Sequence, residues 1–204
     1  MENWETVRGL LEGIASPGPS GGGGAAAALA GATAAALVAM VAGVAALRAP
    51  DDVGLREIVA EADTLRERLL GLIERDVEAF GRVVEARRRT GDARASAVRE
   101  ALVGATEVPL ELAAASARIL ERCLVLLPAA RPSTLADLGV AGALAGAALE
   151  GAALTARANL EGLEAPGFVA DSRRRLDRLL RDGAALRARL PRAWDACREE
   201  APKP

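Results

Sequence analysis

The chain has 204 residues, a formal net charge of −2, 2% aromatic residues, and neither histidine nor tyrosine. This length is enough for one domain with a sizeable core, and a composition rich in Ala, Leu, Gly, Arg and Glu favours helices over sheets. The balanced charge gives no basic field for nucleic acid, and the lack of histidine excludes Ser-His-Asp and Cys-His catalysis, so acid/base chemistry falls to carboxylates.

The cysteines and the single lysine further limit which catalytic mechanisms and metal sites are possible. Cys123 and Cys197 stand alone, without a CxxC motif, which indicates a reducing cytoplasm and offers no ordinary zinc site. Lys203 is the only lysine and lies in a Pro-flanked tail, which argues against a Schiff-base mechanism. We therefore expect a cytoplasmic protein with neither a metal nor a prosthetic group.

The first predicted helix is short and leads into a glycine-rich loop. It ends before Pro17 and carries apolar residues at helical spacing, namely Trp4, Val7, Leu10, Leu11 and Ile14. In the loop, Gly21, Gly22, Gly23 and Gly24 have no Cβ, so the backbone can take a positive φ and approach another backbone or a ligand closely. A helix follows from Ala25, and its free N–H groups make the junction a candidate anion or carbonyl site. The alternative is a plain flexible turn.

The second predicted helix, residues 25–47, has no charged residue. It is long enough to span a bilayer. Most of its residues are Ala, which gains little in lipid, and the mixed charges of residues 1–15 do not resemble a signal peptide. We therefore expect no membrane partner, and we place this helix at the centre of a helical protein, where small residues let neighbouring helices pack closely.

A third helix is predicted over residues 53–89, after the Ala49-Pro50 break and a capping Asp51 or Asp52. One apolar stripe follows it, made of Leu55, Ile58, Val59, Ala62, Leu65, Leu69, Leu72, Ile73, Val77, Phe80 and Val84. Asp76 shares a face with Phe80, so its carboxylate should be partly desolvated and its pKa raised towards values useful for acid/base catalysis. The alternative is that Asp76 lies at the edge of the stripe and pairs with an arginine in solvent.

Three further helical segments follow. A run from Ala93 to Leu127 contains Pro109, which either kinks it or separates two helices. After the loop Arg131-Pro132-Ser133-Thr134 comes a second small-residue helix, residues 135–163. A charged helix is predicted over residues 168–200, with a break at Pro191. No segment alternates like a strand, so the prediction is one all-α domain over residues 1–200, a helical bundle with the two small-residue helices buried at its centre and the sites at their beginnings.

The order of these motifs resembles the cyclodeaminase/cyclohydrolase family, which includes the cyclodeaminase domain of formiminotransferase-cyclodeaminase and bacterial methenyltetrahydrofolate cyclohydrolases. The resemblance covers about residues 4–190. It rests on the glycine loop entering a small-residue helix and on four later segments, namely Asp76-Val-Glu-Ala79-Phe80, Val108-Pro109-Leu110-Glu111, Asp137-Leu-Gly-Val-Ala141 and Gly151-Ala152 leading to Asn159-Leu160.

The resemblance implies an all-helical homodimer that acts, without metal, on a one-carbon unit carried by a tetrahydrofolate derivative. In the cyclodeaminase reaction the second folate nitrogen attacks the formimino carbon and ammonia leaves, whereas in the cyclohydrolase reaction water opens the methenyl bridge. Asp76 matches the family's catalytic aspartate. The substrate-binding positions of the family are matched by Gly22, Gly23, Gly24, Asp137 and Asn159. Arg87 and Arg88 are also expected to bind substrate, since together with Arg89 they offer positive charge for the acidic folate tail.

Several polar positions of the family differ in this chain. The serine that follows the family's glycines is Ala25, and two positions near the second small-residue helix are Arg131 and Ala136. The first Asn of the family's Asn-Val-x-x-Asn-Leu pattern is Thr155. Two functions therefore remain open: a folate one-carbon enzyme with altered contacts, or a degenerate relative that keeps the helical dimer without turnover. Convergence of Asp76, Asp137 and Asn159 beside the glycines would favour the enzyme.

Overall fold

The computed structural model describes residues 6–17 and 22–199, and for residues 191–199 it describes the backbone alone. Trp4, Gly21, Lys203 and the side chain of Cys197 lie outside this part. The described residues form α-helices, one 3₁₀ turn at Leu127–Ala129 and no strand. The helices are α1 (Val7–Ala15), α2 (Gly23–Ala46), α3 (Val53–Arg88), α4 (Ala93–Leu126), α5 (Pro132–Leu160) and α6 (Pro166–Glu199).

Local capping chemistry fixes several of these helix ends. The Asp52 side chain accepts a hydrogen bond from the Leu55 N–H at 3.2 Å, which confirms the predicted cap of α3. Gly91 and Gly162, which follow α3 and α5, have φ values of +76° and +72°. Glycine takes this left-handed conformation without steric penalty, so both positions are places where the chain can turn sharply.

The glycine loop enters α2 earlier than predicted. Gly22 precedes the helix, and Gly23 and Gly24 form its first turn, so the helix starts two residues before Ala25. None of these three glycines has a positive φ. The structure therefore uses the missing Cβ here for close approach to a neighbour and not for a left-handed turn.

The two small-residue helices pair in an antiparallel arrangement. A Cβ on Gly31 would lie 3.4 Å from the Ala148 Cβ, and one on Gly151 would lie 3.1 Å from the Ala27 Cβ, so an early residue of α2 meets a late residue of α5. Helices α3 and α4 complete a four-helix bundle with this pair, and α6 packs on α4 and α5. The described helices share one aliphatic core, which confirms the all-α prediction.

The two internal prolines do not break their helices. Helix α4 runs through Pro109, which settles the alternative left open by the sequence. The predicted break at Pro191 is wrong, because α6 continues to Glu199. A proline removes only one helical hydrogen bond, and Leu190 packs against Gly142 of α5, which anchors α6 up to that position.

One face of the α2–α5 pair is not covered by the described helices. Val140 and Leu154 on α5 keep 51% and 67% of their surface exposed, and Met40 on α2 keeps 40%. Each of these helices is long and apolar enough to cross a membrane, yet half of its most apolar window is buried within the bundle. Core helices of soluble proteins share this composition, so it does not identify a membrane span.

Candidate active site

A cavity of about 520 Å³ lies where the start of α2 and the end of α5 meet the C-terminal third of α3 and the N-terminal third of α4. Its volume is in the range of small-molecule sites. Its lining combines apolar side chains with the polar groups of Asp76, Arg87, Thr155 and Asn159. The residues that line it are Gly22, Gly23, Gly24, Asp76, Val77, Phe80, Val83, Arg87, Leu102, Ala105, Thr155, Ala158 and Asn159.

Asp76 is the carboxylate of this cavity. It is half-buried and forms neither a hydrogen bond nor an ion pair with any described residue, so the alternative pairing with an arginine is not found there. Burial raises the pKa of the Asp76 carboxyl above its usual value. An unpaired, partly desolvated carboxylate is a stronger base than one in water, and it is free to exchange a proton with a ligand.

Gly24 explains how the carboxylate comes to lie against α2. A Cβ at Gly24 would be 2.5 Å from both oxygens of Asp76, which is closer than real side chains come. Only the missing Cβ allows this approach. The N–H groups of Gly23 and Gly24 belong to the first turn of α2 and have no acceptor among the described residues, so the cavity offers donors next to its base.

Pro109 accounts for the position of Asn159. Because Pro109 has no N–H, the Ala105 carbonyl four residues earlier loses its helical donor. The Asn159 Nδ2 donates to that carbonyl at 2.8 Å, across 54 residues of sequence. This bond anchors the amide of Asn159 at the cavity, while its Oδ1 makes no hydrogen bond with a described residue.

Thr155 and Phe80 complete the cavity next to the glycines. The Thr155 hydroxyl donates to the Gly151 carbonyl at 3.1 Å, and it lies 3.8 Å from where a Gly23 Cβ would be. Thr155 stands where the family pattern has an amide, and its hydroxyl keeps a polar group in the cavity. Phe80, predicted as part of the core stripe, keeps 51% of its surface exposed and lines the cavity, where its face can contact a planar ring.

A second cavity, of about 460 Å³, adjoins the first and shares Arg87 and Leu102 with it. Its charged lining residues are Arg87, Arg94, Arg99 and Glu164, an excess of positive charge. The Arg94 Nε donates to the Arg87 backbone carbonyl at 3.3 Å, while the Arg87 guanidinium has no partner among the described residues. Sequence reasoning missed Arg94 and Arg99, because the Gly91 turn that brings them beside Arg87 gave no sign of which face α4 would present.

Two predicted site residues lie away from the Asp76 cavity. Arg88 is exposed and lines neither cavity. Asp137 lies near the start of α5, whereas Asn159 lies at its end, about 33 Å further along the helix. The prediction that both sites lie at helix beginnings is therefore wrong for α5, because α2 and α5 are antiparallel and the start of one meets the end of the other.

Neither a reactive thiol nor a metal cluster is found among the described residues. Cys123 is buried, and burial raises the pKa of its thiol to about 12, so it stays protonated at neutral pH. Among the described residues, no three Cys, Asp or Glu side chains are grouped so that they could hold a metal ion.

Comparisons with known proteins agree with this architecture. The sequence profile of the formiminotransferase-cyclodeaminase family matches residues 6–178. The chain is 34% identical over 199 residues to a methenyltetrahydrofolate cyclohydrolase of Methylorubrum extorquens, covering 93% of this chain and 96% of the relative. It also superposes with a TM-score of 0.87 on formiminotetrahydrofolate cyclodeaminase from Thermotoga maritima, at 22% identity and with 94% of this chain and 96% of that one covered, a likeness of fold.

Proposed function

The protein belongs to the formiminotransferase-cyclodeaminase family, and we propose that it is a folate one-carbon enzyme that hydrolyses the methenyl bridge of methenyltetrahydrofolate. The relative from Methylorubrum supports this choice of reaction, since the similarity extends over nearly the whole of both chains. The observation that carries the proposal is the unpaired Asp76 carboxylate beside the free amides of Gly23 and Gly24, in a cavity of ligand size.

Asp76 acts as the acid/base group in the proposed reaction. Its carboxylate takes a proton from water while the water oxygen bonds to the methenyl carbon. Asp76 then returns that proton to the folate nitrogen whose bond to this carbon breaks. The second proton of the water is released to solvent when the formyl carbonyl forms. A group whose pKa is raised towards neutral is well suited to both proton transfers.

The other residues of the cavity bind and orient the substrate in this proposal. The amides of Gly23 and Gly24 donate to the oxygen that develops negative charge as water attacks. Thr155 and Asn159 offer a hydroxyl and an amide oxygen to the polar edge of the pterin, and Phe80 contacts its ring. The apolar residues Val83 and Leu102 limit the access of further water.

The adjoining arginine cavity receives the acidic tail of the folate. Arg87 lies at the junction of the two cavities and is unpaired among the described residues. It can therefore bind a carboxylate of the folate tail where the tail extends from the first cavity into the second. Arg94 and Arg99 extend the positive surface beyond it. Arg88, the next residue of α3, remains exposed to solvent and takes no part in binding the tail.

The family description favours a second candidate reaction, the cyclodeamination of formiminotetrahydrofolate. The second folate nitrogen would then attack the formimino carbon and pass its proton through Asp76 to the imino nitrogen. With one further proton from solvent that nitrogen leaves as ammonia, and the methenyl bridge forms. The same cavity serves both reactions, since each breaks a carbon–nitrogen bond at an amidine-like carbon. The degenerate-relative alternative predicts that neither substrate is turned over.

We further propose a cytoplasmic homodimer that needs no prosthetic group, with tetrahydrofolate derivatives as its small-molecule ligands. The uncovered apolar face of α2 and α5 supports the dimer, because exposed patches of this length are common at protein interfaces. Light scattering should give twice the chain mass at micromolar concentration, and a stable monomer would refute this part of the proposal.

An absorbance assay tests the reaction. Purified protein is mixed with methenyltetrahydrofolate and, separately, with formiminotetrahydrofolate, and the rate above the spontaneous reaction is measured. We expect turnover of the methenyl substrate, and Asp76→Asn should lower it by about 10² to 10⁴. Preference for the formimino substrate would favour the cyclodeaminase, and no turnover of either would favour the degenerate relative.

A further inference from the structure

A carboxylate of α4 is bound by two arginines of α3 close to Asp76. Glu111 accepts hydrogen bonds from Nη1 and Nη2 of Arg75 at 2.9 and 3.0 Å, one on each oxygen, and from Nη2 of Arg68 at 3.2 Å. The hydrogen bonds from Arg75 hold the pKa of Glu111 below its usual value, so this side chain stays charged at neutral pH. Glu111 lines neither cavity, so any effect on the site must pass through the helices that it joins.

These hydrogen bonds restrain both the rotation and the axial position of α3. Arg68 and Arg75 are about two turns apart, so they lie on the same side of the helix, about 10 Å from each other along its axis. The two N–H groups of Arg75 form a planar fork that meets the carboxylate in one orientation. Asp76 is the next residue of α3, so a rotation of the helix about its axis moves both side chains together.

The apolar core restrains α3 less at this level than earlier in the helix. No side chain between Ile73 and Ala79 is fully buried, and the cavity occupies this place. The buried residues of α3 are large before Asp76 and smaller after it, namely Leu65, Leu69, Leu72 and Ile73 before it and Ala79, Val83 and Ala86 after it. Interlocking of large side chains is what resists the rotation of a packed helix. Polar contacts therefore contribute more to the orientation of α3 here.

A small rotation of α3 is enough to displace the base. A carboxylate on a helix lies about 5 to 6 Å from the helix axis, so a rotation of about 10° moves it by roughly 1 Å. The Asp76 oxygens lie 2.5 Å from where a Gly24 Cβ would be, which leaves little room towards α2. A displacement of about 1 Å can lower the rate of a catalysed step by about 10².

Helix α4 anchors α5 in the same region. The Ala105 carbonyl, six residues before Glu111, accepts the hydrogen bond from the Asn159 Nδ2 of α5 at 2.8 Å. The polar side chains that line the Asp76 cavity all belong to α3 or α5. Both of these helices are therefore held to one short stretch of α4, and their relative placement depends on both contacts.

We propose that Glu111 is a positioning residue for Asp76. Through Arg75 and Arg68 it sets the rotation of α3 at which the Asp76 carboxylate lies against Gly24 and faces the substrate, without touching the substrate itself. This inference rests on the proposed function for its chemistry, since Asp76 is the acid/base group whose placement sets the rate.

Glu111→Gln tests the proposal, because a neutral amide offers one acceptor oxygen in place of two charged ones. The kcat for methenyltetrahydrofolate hydrolysis should fall roughly 10- to 100-fold, whereas KM should change by less than about threefold. The loss should also depend on Asp76, so in the Asp76→Asn background Glu111→Gln should lower the residual kcat by less than about twofold. An equal loss in both backgrounds would show that Glu111 acts independently of Asp76 and overturn the proposal.

Glu61 provides a matched control on the same pair of helices. This carboxylate of α3 forms ion pairs with Arg118 and Arg122 of α4, so it also joins the two helices through two arginines. It lies about 22 Å before Asp76 along α3. Glu61→Gln should lower the melting temperature about as much as Glu111→Gln does, yet keep the kcat of the wild type. An equal loss of kcat in the two variants would indicate a general loss of stability and overturn the proposal.

Fluorine NMR tests the placement of α3 without reference to activity. The chain has two phenylalanines, Phe80 of α3, one turn after Asp76, and Phe168 of α6. In protein labelled with fluorophenylalanine, Glu111→Gln should shift the ¹⁹F resonance of Phe80 and leave that of Phe168 in place, and Glu61→Gln should leave both in place. A Phe80 resonance that Glu111→Gln does not move would overturn the proposal. A wild type that turns over neither folate refutes the proposed function instead, and the ¹⁹F resonances then decide whether Glu111 positions α3.

Discussion

Gly24→Ala is the substitution that most directly tests the geometry of the Asp76 site. The added Cβ would lie 2.5 Å from both carboxylate oxygens, so the carboxylate must withdraw by about 0.9 Å to reach an ordinary contact near 3.4 Å. Displacing a catalytic group by about 1 Å can reduce the rate by about 10². We therefore expect kcat for methenyltetrahydrofolate hydrolysis to fall by roughly that factor.

The fold should tolerate this change, since alanine is a better helix former than glycine. Replacing a helical glycine by alanine contributes about 0.5 to 1 kcal/mol of stability, which offsets part of the steric cost at the first turn of α2. Circular dichroism should then show a native helical spectrum, with the loss confined to turnover. Loss of fold together with activity would mean that the contact is structural.

Two alanine substitutions in the same helix serve as controls. Gly23→Ala places a Cβ 3.8 Å from the Thr155 hydroxyl, an ordinary contact, and Gly43→Ala meets nothing within 4 Å. Both should retain nearly full turnover in the absorbance assay. If Gly24→Ala is as active as these controls, the carboxylate of Asp76 need not lie against α2, and the reasoning from close approach is refuted.

Three further predictions follow from the same cavities. Asp76→Asn should unfold at a higher temperature than the wild type at pH 7. Burial raises the pKa of the Asp76 carboxyl, so the folded wild type loses stability as the pH rises from the usual pKa near 3.8 through the raised pKa, and the amide of Asn avoids this loss. Equal melting curves of the two proteins at pH 7 would contradict the burial of the carboxylate. Pro109→Ala returns an N–H to the Ala105 carbonyl, so the free energy of unfolding should rise by at most about 3 kcal/mol. The value of kcat/KM should fall, because the Asn159 amide then loses its hydrogen bond to that carbonyl. Unchanged kinetics would show that this hydrogen bond is dispensable for activity. Arg87→Gln should raise KM for a polyglutamylated folate more than for the monoglutamate, with the exposed Arg88→Gln as the matched control, and an equal rise for both substrates would exclude tail binding.

The sequence by itself determined the helices and much of the Asp76 site. Apolar residues at helical spacing and the residues at helix ends are local signals, so α3 and its Asp52 cap could be predicted directly. The glycine run indicated a backbone that something approaches closely, and the resemblance to a known family connected it to Asp76. The exact start of α2 and the continuity of α4 and α6 through their prolines could not be predicted. A proline removes one helical hydrogen bond, and the surrounding packing decides whether the helix continues past it.

Only the tertiary structure decided which ends of the helices meet. Periodicity shows which face of a helix is apolar, but the direction of its neighbour depends on contacts between residues far apart in sequence. Antiparallel packing of α2 and α5 brings Asn159 to the glycines and places Asp137 at the opposite end of the helical bundle. The hydrogen bond between Asn159 and Ala105 joins residues 54 positions apart, and no local pattern of the sequence encodes it. The arginine cavity has the same origin, since the rotation of α4 after the Gly91 turn is fixed by the core that it packs against.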